Sequence, residues 1–274
     1  MPKQVQRSVS DTAKTDASAS PTSRVALAIA LAVSLLAVSF LLYPHAAQAY
    51  SCNVCHGVVT WNGNNWGTQS YPEVVALTCT PADCKPGNNY VPHVGNVLWV
   101  INTNYSNCYP YDACWVEAGY HTVTNSQGTS TSNVYYWADV RPGTNNFHVH
   151  TLGNVQSGDL GNDVWLNIDE YGNTSTWNID VTSATSGYSG TSTNNSMNPN
   201  QIQMGMEMIG TAGESADTGY FTYNIWYETG NNSWHYQENA GNTHNDSPIE
   251  SNWYQKPASN GSNYGGSFYT GCPC

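Results

Sequence analysis

From residue 202 the chain reads Ile-Gln-Met-Gly-Met-Glu-Met, with an apolar side chain at every second position. Successive side chains of a β-strand point to opposite faces, so this run suits a strand far better than a helix. Ile202, Met204, Met206 and Met208 make one wholly apolar face, which has to pack on a second layer. Gln203, Gly205 and Glu207 share the opposite face. The run from Trp115 to His121 sorts in the same way. Val116, Ala118 and Tyr120 lie on one side; Trp115, Glu117, Gly119 and His121 lie on the other.

Beyond residue 50 no stretch keeps a helical period, and the same alternation recurs between turn-forming clusters. It predicts strands over residues 97–102, 115–123, 134–140, 147–152, 164–169, 176–181, 202–209 and 220–227. Tyr, Trp and Thr favour the strands, while Asn, Gly and Pro mark the turns, as in Arg141-Pro-Gly and the polar run 186–200. Short strands at this spacing predict an all-β fold, a two-sheet antiparallel jelly-roll sandwich. Residues 50–95 read as a loop-rich extension clipped by cysteines, a candidate propeptide, and residues 96–274 as the β-sandwich domain. The polar tail from residue 229 reads as irregular, with Trp234 and Trp253 anchoring it to a sheet.

Residues 1–49 are expected to be a secretory signal: Lys3, Arg7 and Lys14, an apolar run from Val25 to Leu42, then Ala47-Gln-Ala49. A retained membrane anchor is the alternative for an apolar run of that length. The expected location is therefore extracellular, with no membrane association once the signal is cut. The chain carries 7 basic and 19 acidic residues, a formal charge of −12. So acidic a surface argues against nucleic acid as a partner and suits a protein working at acid pH.

All eight cysteines follow residue 50, an even number in an oxidising compartment. Proximity suggests Cys79–Cys84 and Cys108–Cys114. Cys52-Asn-Val-Cys55-His56 also matches a c-type haem attachment pattern, but six further cysteines favour disulfides, and no cofactor is expected. His148 and His150 share a strand face at a spacing that can hold a metal, with His121, Asp139 and Asp159 as candidate further ligands. A polar, aromatic face is the commoner use of such a pair, so no metal is expected.

Acidic residues are uncommon inside strands. Glu117 and Glu207 each have a glycine two positions away on their own face, which leaves open space beside a carboxyl. At these residues the chain resembles the glutamic-peptidase superfamily of eqolisins and neprosins. Three short blocks in order carry the resemblance: Leu98-Trp99-Val100 with Val116-Glu117-Ala118-Gly119-Tyr120, Tyr135-Tyr136-Trp137, and Ile202-Gln203-Met204-Gly205-Met206-Glu207. The resemblance implies a jelly roll with a catalytic pair on a concave sheet, hydrolysing peptide bonds in acid. Glu117 falls on the first catalytic position. Either Gln203 or Glu207 falls on the second, with Glu207 slightly favoured; Trp99, Tyr136 and Trp137 would line the groove. In such a pair one carboxylate deprotonates the attacking water and the partner donates a hydrogen bond to the oxyanion. The expected partner is then a protein or peptide substrate, met by a monomer. The alternative is a non-catalytic, lectin-like or cell-wall-binding jelly roll, with Trp115, Trp137 and Trp226 as a sugar platform.

Overall fold

The alternating runs form strands, and all of them pair antiparallel. The structure is a computed structural model. It describes residues 51–63, 65–79, 93–104, 108, 113–124, 130–143, 147–170, 176–193, 197–211, 214–228, 233–237, 242–245, 250–254 and 267–272. In chain order the strands are β1 (Ser51–Asn62), β2 (Asn65–Pro72), β3 (Leu77–Cys79), β4 (His93–Asn102), β5 (Cys114–Thr124) and β6 (Thr131–Val140). Next come β7 (Phe147–Asn154), β8 (Trp165–Glu170), β9 (Trp177–Thr182), β10 (Gly187–Ser192), β11 (Gln201–Thr211) and β12 (Glu214–Glu228). The last are β13 (Ser233–Tyr236), β14 (Asn242–Asn245), β15 (Glu250–Tyr254) and β16 (Ser267–Cys272). Among the described residues there is no helix.

The first sheet has seven strands in the order β14-β1-β11-β4-β5-β6-β7. The second runs β10-β9-β8-β2-β12-β16-β15, with β3 and β13 also on β12. The β-sandwich expectation therefore holds, and each of the eight expected strands is present. Between the sheets lie the faces that period two sorts as apolar. Ile202, Met204 and Met206 meet Leu98, Val116 and Tyr120 from the first sheet, and Leu166, Ile168, Trp177, Ile179 and Phe221 from the second. Unbranched methionines fill an irregular gap between two curved layers more easily than β-branched residues do.

Tyr120 brings a hydroxyl into this core. Its hydroxyl donates to the Glu73 carbonyl at 2.8 Å and accepts from Val75 N–H at 3.0 Å and Asn96 Nδ2 at 2.7 Å. The buried phenol is thus fully satisfied and ties β5 to the β2–β3 connection.

Residues 51–63 and 65–79 differ from the loop-rich form expected of the segment 50–95. β1 lies inside the first sheet, between β14 and β11, and β2 lies inside the second, between β8 and β12. The segment 51–72 is polar because the residues between its strand positions are Asn, Gly, Thr and Ser, which hides the alternation. The tail also carries strands, β13 to β16. Trp234 lies on β13 opposite Tyr227 of β12, its ring 5.3 Å from the tyrosine ring and 38 % exposed. β10 lies within the run 186–200 that composition marks as turns. The Cys108–Cys114 disulfide is present, closing the loop between β4 and β5. Residue 84 lies outside the described residues, as do the apolar run 25–42 and the side chain of residue 253.

Candidate active site

β4 separates β11 from β5, so cross-strand rows run over the face of the first sheet that turns away from the second. In one row Gln203 faces Trp99, and Trp99 faces Glu117. In the next, Gly205 faces Val97, then Gly119, then Tyr136. In the third, His56 faces Glu207, then Gly95, then His121. Two polar rows thus flank a lane of glycines.

Glu117 is 3 % exposed. A carboxylate withdrawn from water needs its lost hydration replaced. Oε2 accepts the indole N–H of Trp99 at 2.7 Å and that of Trp115 at 2.9 Å. Both are hydrogen bonds to a charged acceptor, the stronger kind. Trp99 reaches it from the neighbouring strand and Trp115 from two residues earlier on the same face.

The lane requires its glycines. Gly205 has φ of 150°, and a Cβ there would stand 2.1 Å from the Gly57 carbonyl oxygen. A Cβ at Gly119 would stand 2.2 Å from the carbonyl oxygen of Asn96. Over this lane lies Tyr136, its ring stacked on His121 with centroids 3.8 Å apart. Burial, and then the charges of Glu117 and Glu207, push its hydroxyl well above the ordinary tyrosine pKa. The hydroxyl lies beside Glu117 but in a geometry too poor for an ordinary hydrogen bond.

Glu207 is held from β1. His56 Nε2 lies 3.2 Å from its Oε1, with side chains 32 % and 13 % exposed respectively. The face is therefore more open at this row than at Glu117. The imidazole also meets Trp99 edge-on at 6.3 Å. Gln203 is half-buried, and its Nε2 donates to Gln201 Oε1 at 2.7 Å.

No family model matches the chain. No curated protein matches it either. Among solved structures, SCP-B, a member of the Eqolisin family of Peptidases in a complex with a tripeptide Ala-Ile-His, is similar over 82 % of this chain and 99 % of its own, with 8 % identity and a TM-score of 0.43. CG-16, a homodimeric agglutinin from chicken liver, is similar over 60 % of this chain and 97 % of its own, with 9 % identity and a TM-score of 0.30.

The structure brings Glu117, Trp99, Gln203, Tyr136 and Glu207 to one face. Trp137 is on the other. It neighbours Tyr136 in sequence, so the pleat turns it inward, where it packs in the core and stacks on His150 at 3.9 Å. The expectation that both residues line one groove is corrected by that alternation. Trp226 likewise packs against the core, and Trp115 is engaged with Glu117, so these three rings form no common platform.

His148 Nδ1 pairs with Asp139 Oδ1 at 3.0 Å. Asp139 is also bonded by Arg141 Nε at 2.8 Å and by Ser192 Oγ. His121 lies on the opposite face of the first sheet from that cluster. Among the described residues no group of three or more His, Cys, Asp or Glu is placed to hold a metal ion.

The Cys-x-x-Cys-His run is part of β1. Cys55 is disulfide-bonded and His56 faces Glu207, so the thiol and imidazole that a haem attachment would use are engaged elsewhere. His56 as a site residue is invisible in the sequence, because only the β1–β11 register sets it beside Glu207.

Proposed function

We propose that this chain is an exported, acid-acting glutamic endopeptidase in which Glu117 is the general base and Gln203 its partner. The Gln203–Trp99–Glu117 row carries the reading. Gln203 and Glu117 stand two strand spacings apart, roughly 9.5 Å between backbones, on the same face. The two side chains flank the Trp99 ring, over which a water and a scissile carbonyl would be held. Glu207 lies four residues further along β11, about 13 Å at the usual rise, and is already paired with His56. The row geometry therefore favours Gln203 over Glu207, the partner that sequence alone slightly preferred.

In this mechanism two indole donors hold Oε2 of Glu117 and orient the carboxylate, which takes a proton from the attacking water. The carbonyl oxygen becomes an oxyanion as the water adds. The Gln203 amide donates to it, a contact that strengthens as charge develops. The proton on Glu117 then passes to the leaving amine. Tyr136, stacked on His121 over the glycine lane, limits the access of bulk water to Glu117.

Cleavage of a denatured protein by the purified chain between roughly pH 2 and pH 7 tests the proposal. Activity confined to acid should fall by about 10²-fold or more in Glu117→Gln and in Gln203→Ala, and persist in Glu207→Gln. Loss in Glu207→Gln with activity kept in Gln203→Ala would move the partner role to Glu207. A folded wild type that cleaves nothing at any pH would remove the peptidase reading.

A further inference from the structure

The second sheet carries a different surface on the side away from the core. Register sets Asn167, Asp180 and Ser189 in one row, and Asp169, Asn178 and Thr191 in the next. Leu166, Ile168 and Ile179, their neighbours in sequence, fill the core, so the pleat turns these six side chains outward. A cavity of about 540 Å³ lies over them, lined by Asp169, Asn178, Asp180, Ser189, Gly190 and Thr191. Its floor is thin at Gly190, where a Cβ would stand 2.3 Å from Nε1 of Trp137 beneath.

Two buried polar atoms on the same outer face of β8 have no hydrogen-bond partner in the protein. Asn167 is 3 % exposed; its Nδ2 donates to Asp180 Oδ2 at 3.1 Å, while its Oδ1 accepts nothing. Trp165, two residues earlier on the same face, has a buried indole N–H that donates to nothing. The lining sets amide and hydroxyl donors of Asn178, Ser189 and Thr191 beside the two carboxylates, and a bare cation would satisfy only the acceptors. A hydroxyl both donates and accepts, and satisfies both kinds. The cavity lining has no basic residue and two carboxylates, so it disfavours an anion. Burial raises the Asp169 carboxyl pKa, against hydrogen bonds from Asn178 and Asn167, so hydroxyl donors would offset the desolvation of its charge.

Aromatic rings continue the same face. Tyr71, on the strand beside β8, meets Tyr223 edge-on at 5.4 Å, and Tyr223 meets Tyr236 at 5.5 Å. Tyr227 and Trp234 lie 5.3 Å apart. Trp234 and Tyr236 are exposed. Flat rings bordering a pocket of hydroxyl, amide and carboxylate groups match a ligand that has an apolar ring face and a polar edge.

We propose that the outer face of the second sheet binds a neutral polysaccharide, with one sugar seated between Asp169 and Asp180 and the chain lying along the Tyr71, Tyr236 and Trp234 rings. The site is separate from the Glu117 face and does not depend on the peptidase reading.

Affinity electrophoresis of the full chain tests it, in native gels containing hydroxyethylcellulose, laminarin or galactomannan, with polygalacturonate as the anionic control. At least one neutral polymer should retard the protein, with or without EDTA. Asp180→Ala and Trp234→Ala should each weaken that retardation about tenfold, the loss of roughly one hydrogen bond to a charged group or one stacked ring. Their thermal unfolding should match wild type. Where Asp180→Ala does not fold, Thr191→Arg at the exposed rim takes its place. Glu117→Gln, which removes the proposed base on the other sheet, should bind as wild type does. No retardation by any neutral polymer, retardation by polygalacturonate alone, or binding abolished by EDTA would overturn the proposal. So would full binding in the folded rim variants, or loss in Glu117→Gln.

Discussion

Trp99 stands directly opposite Glu117 in the β4–β5 pair and donates its indole N–H to that carboxylate at 2.7 Å. The same tryptophan faces Gln203 on its other side. One side chain therefore sets the orientation of the buried carboxyl and separates it from the amide on β11. Removing that donor leaves a buried charge with less compensation.

Trp99→Phe keeps the ring and deletes the N–H. We expect a loss of about 1–3 kcal/mol in urea unfolding, since a hydrogen bond to a buried charged acceptor disappears. Trp115→Phe should cost less, because Trp115 is only half-buried and water can replace its donor. Equal effects from the two variants would contradict the assigned difference in burial.

Gly205→Ala should be the most damaging single-methyl change on this face. The φ of 150° strains any L side chain, and the added Cβ would stand 2.1 Å from the Gly57 carbonyl. Relief requires β1 and β11 to separate, so the expected cost is at least about 3 kcal/mol. A melting temperature within a degree or two of wild type would show that the strands do not approach as described.

Asp159 should contribute to stability against acid. The burial of its carboxyl acts to raise its pKa, but hydrogen bonds from Gln156 N–H at 2.9 Å and Thr185 N–H at 3.0 Å, together with side-chain donors, hold it below the ordinary value. A carboxyl with a depressed folded-state pKa stabilises the fold above its unfolded pKa, about 4. That stabilisation is lost as pH falls through the lower folded value. Asp159→Asn should therefore lower stability at pH 7 and narrow the difference from wild type below about pH 3. Chemical denaturation at several pH values measures this, and a difference that is constant with pH would exclude the linkage.

A chain beginning at residue 96 should not fold. It lacks β1, which pairs with β11 beside Glu207, and β2, which pairs with both β8 and β12. Far-UV circular dichroism and one-dimensional proton NMR should report an unfolded ensemble. A cooperative, folded 96–274 fragment would restore the idea of a removable extension.

The sequence was most legible where one face of a strand is wholly apolar. Residues 202–208 and 115–121 announce their two faces, and Glu117, Gln203 and Glu207 fall on the polar side in both sequence and structure. β1 and β2 were illegible because their residues are small and polar, and their strand character comes from pairing partners more than 100 residues away. Trp137 was misplaced for a simpler reason. Family-like blocks encourage reading adjacent residues together, while the pleat sends Tyr136 and Trp137 to opposite sides.

By itself, then, the sequence determined the all-β class, the existence and approximate position of the central strands and the side of the strand on which each acid lies. These follow from local periodicity, which each segment carries alone. Only the tertiary structure decided that Trp99 lies between Gln203 and Glu117, that His56 is paired with Glu207, and that Asp169 and Asp180 share a cavity on the other sheet. Those relations depend on strand order and register, which arise from nonlocal pairing and from the packing of one sheet on the other.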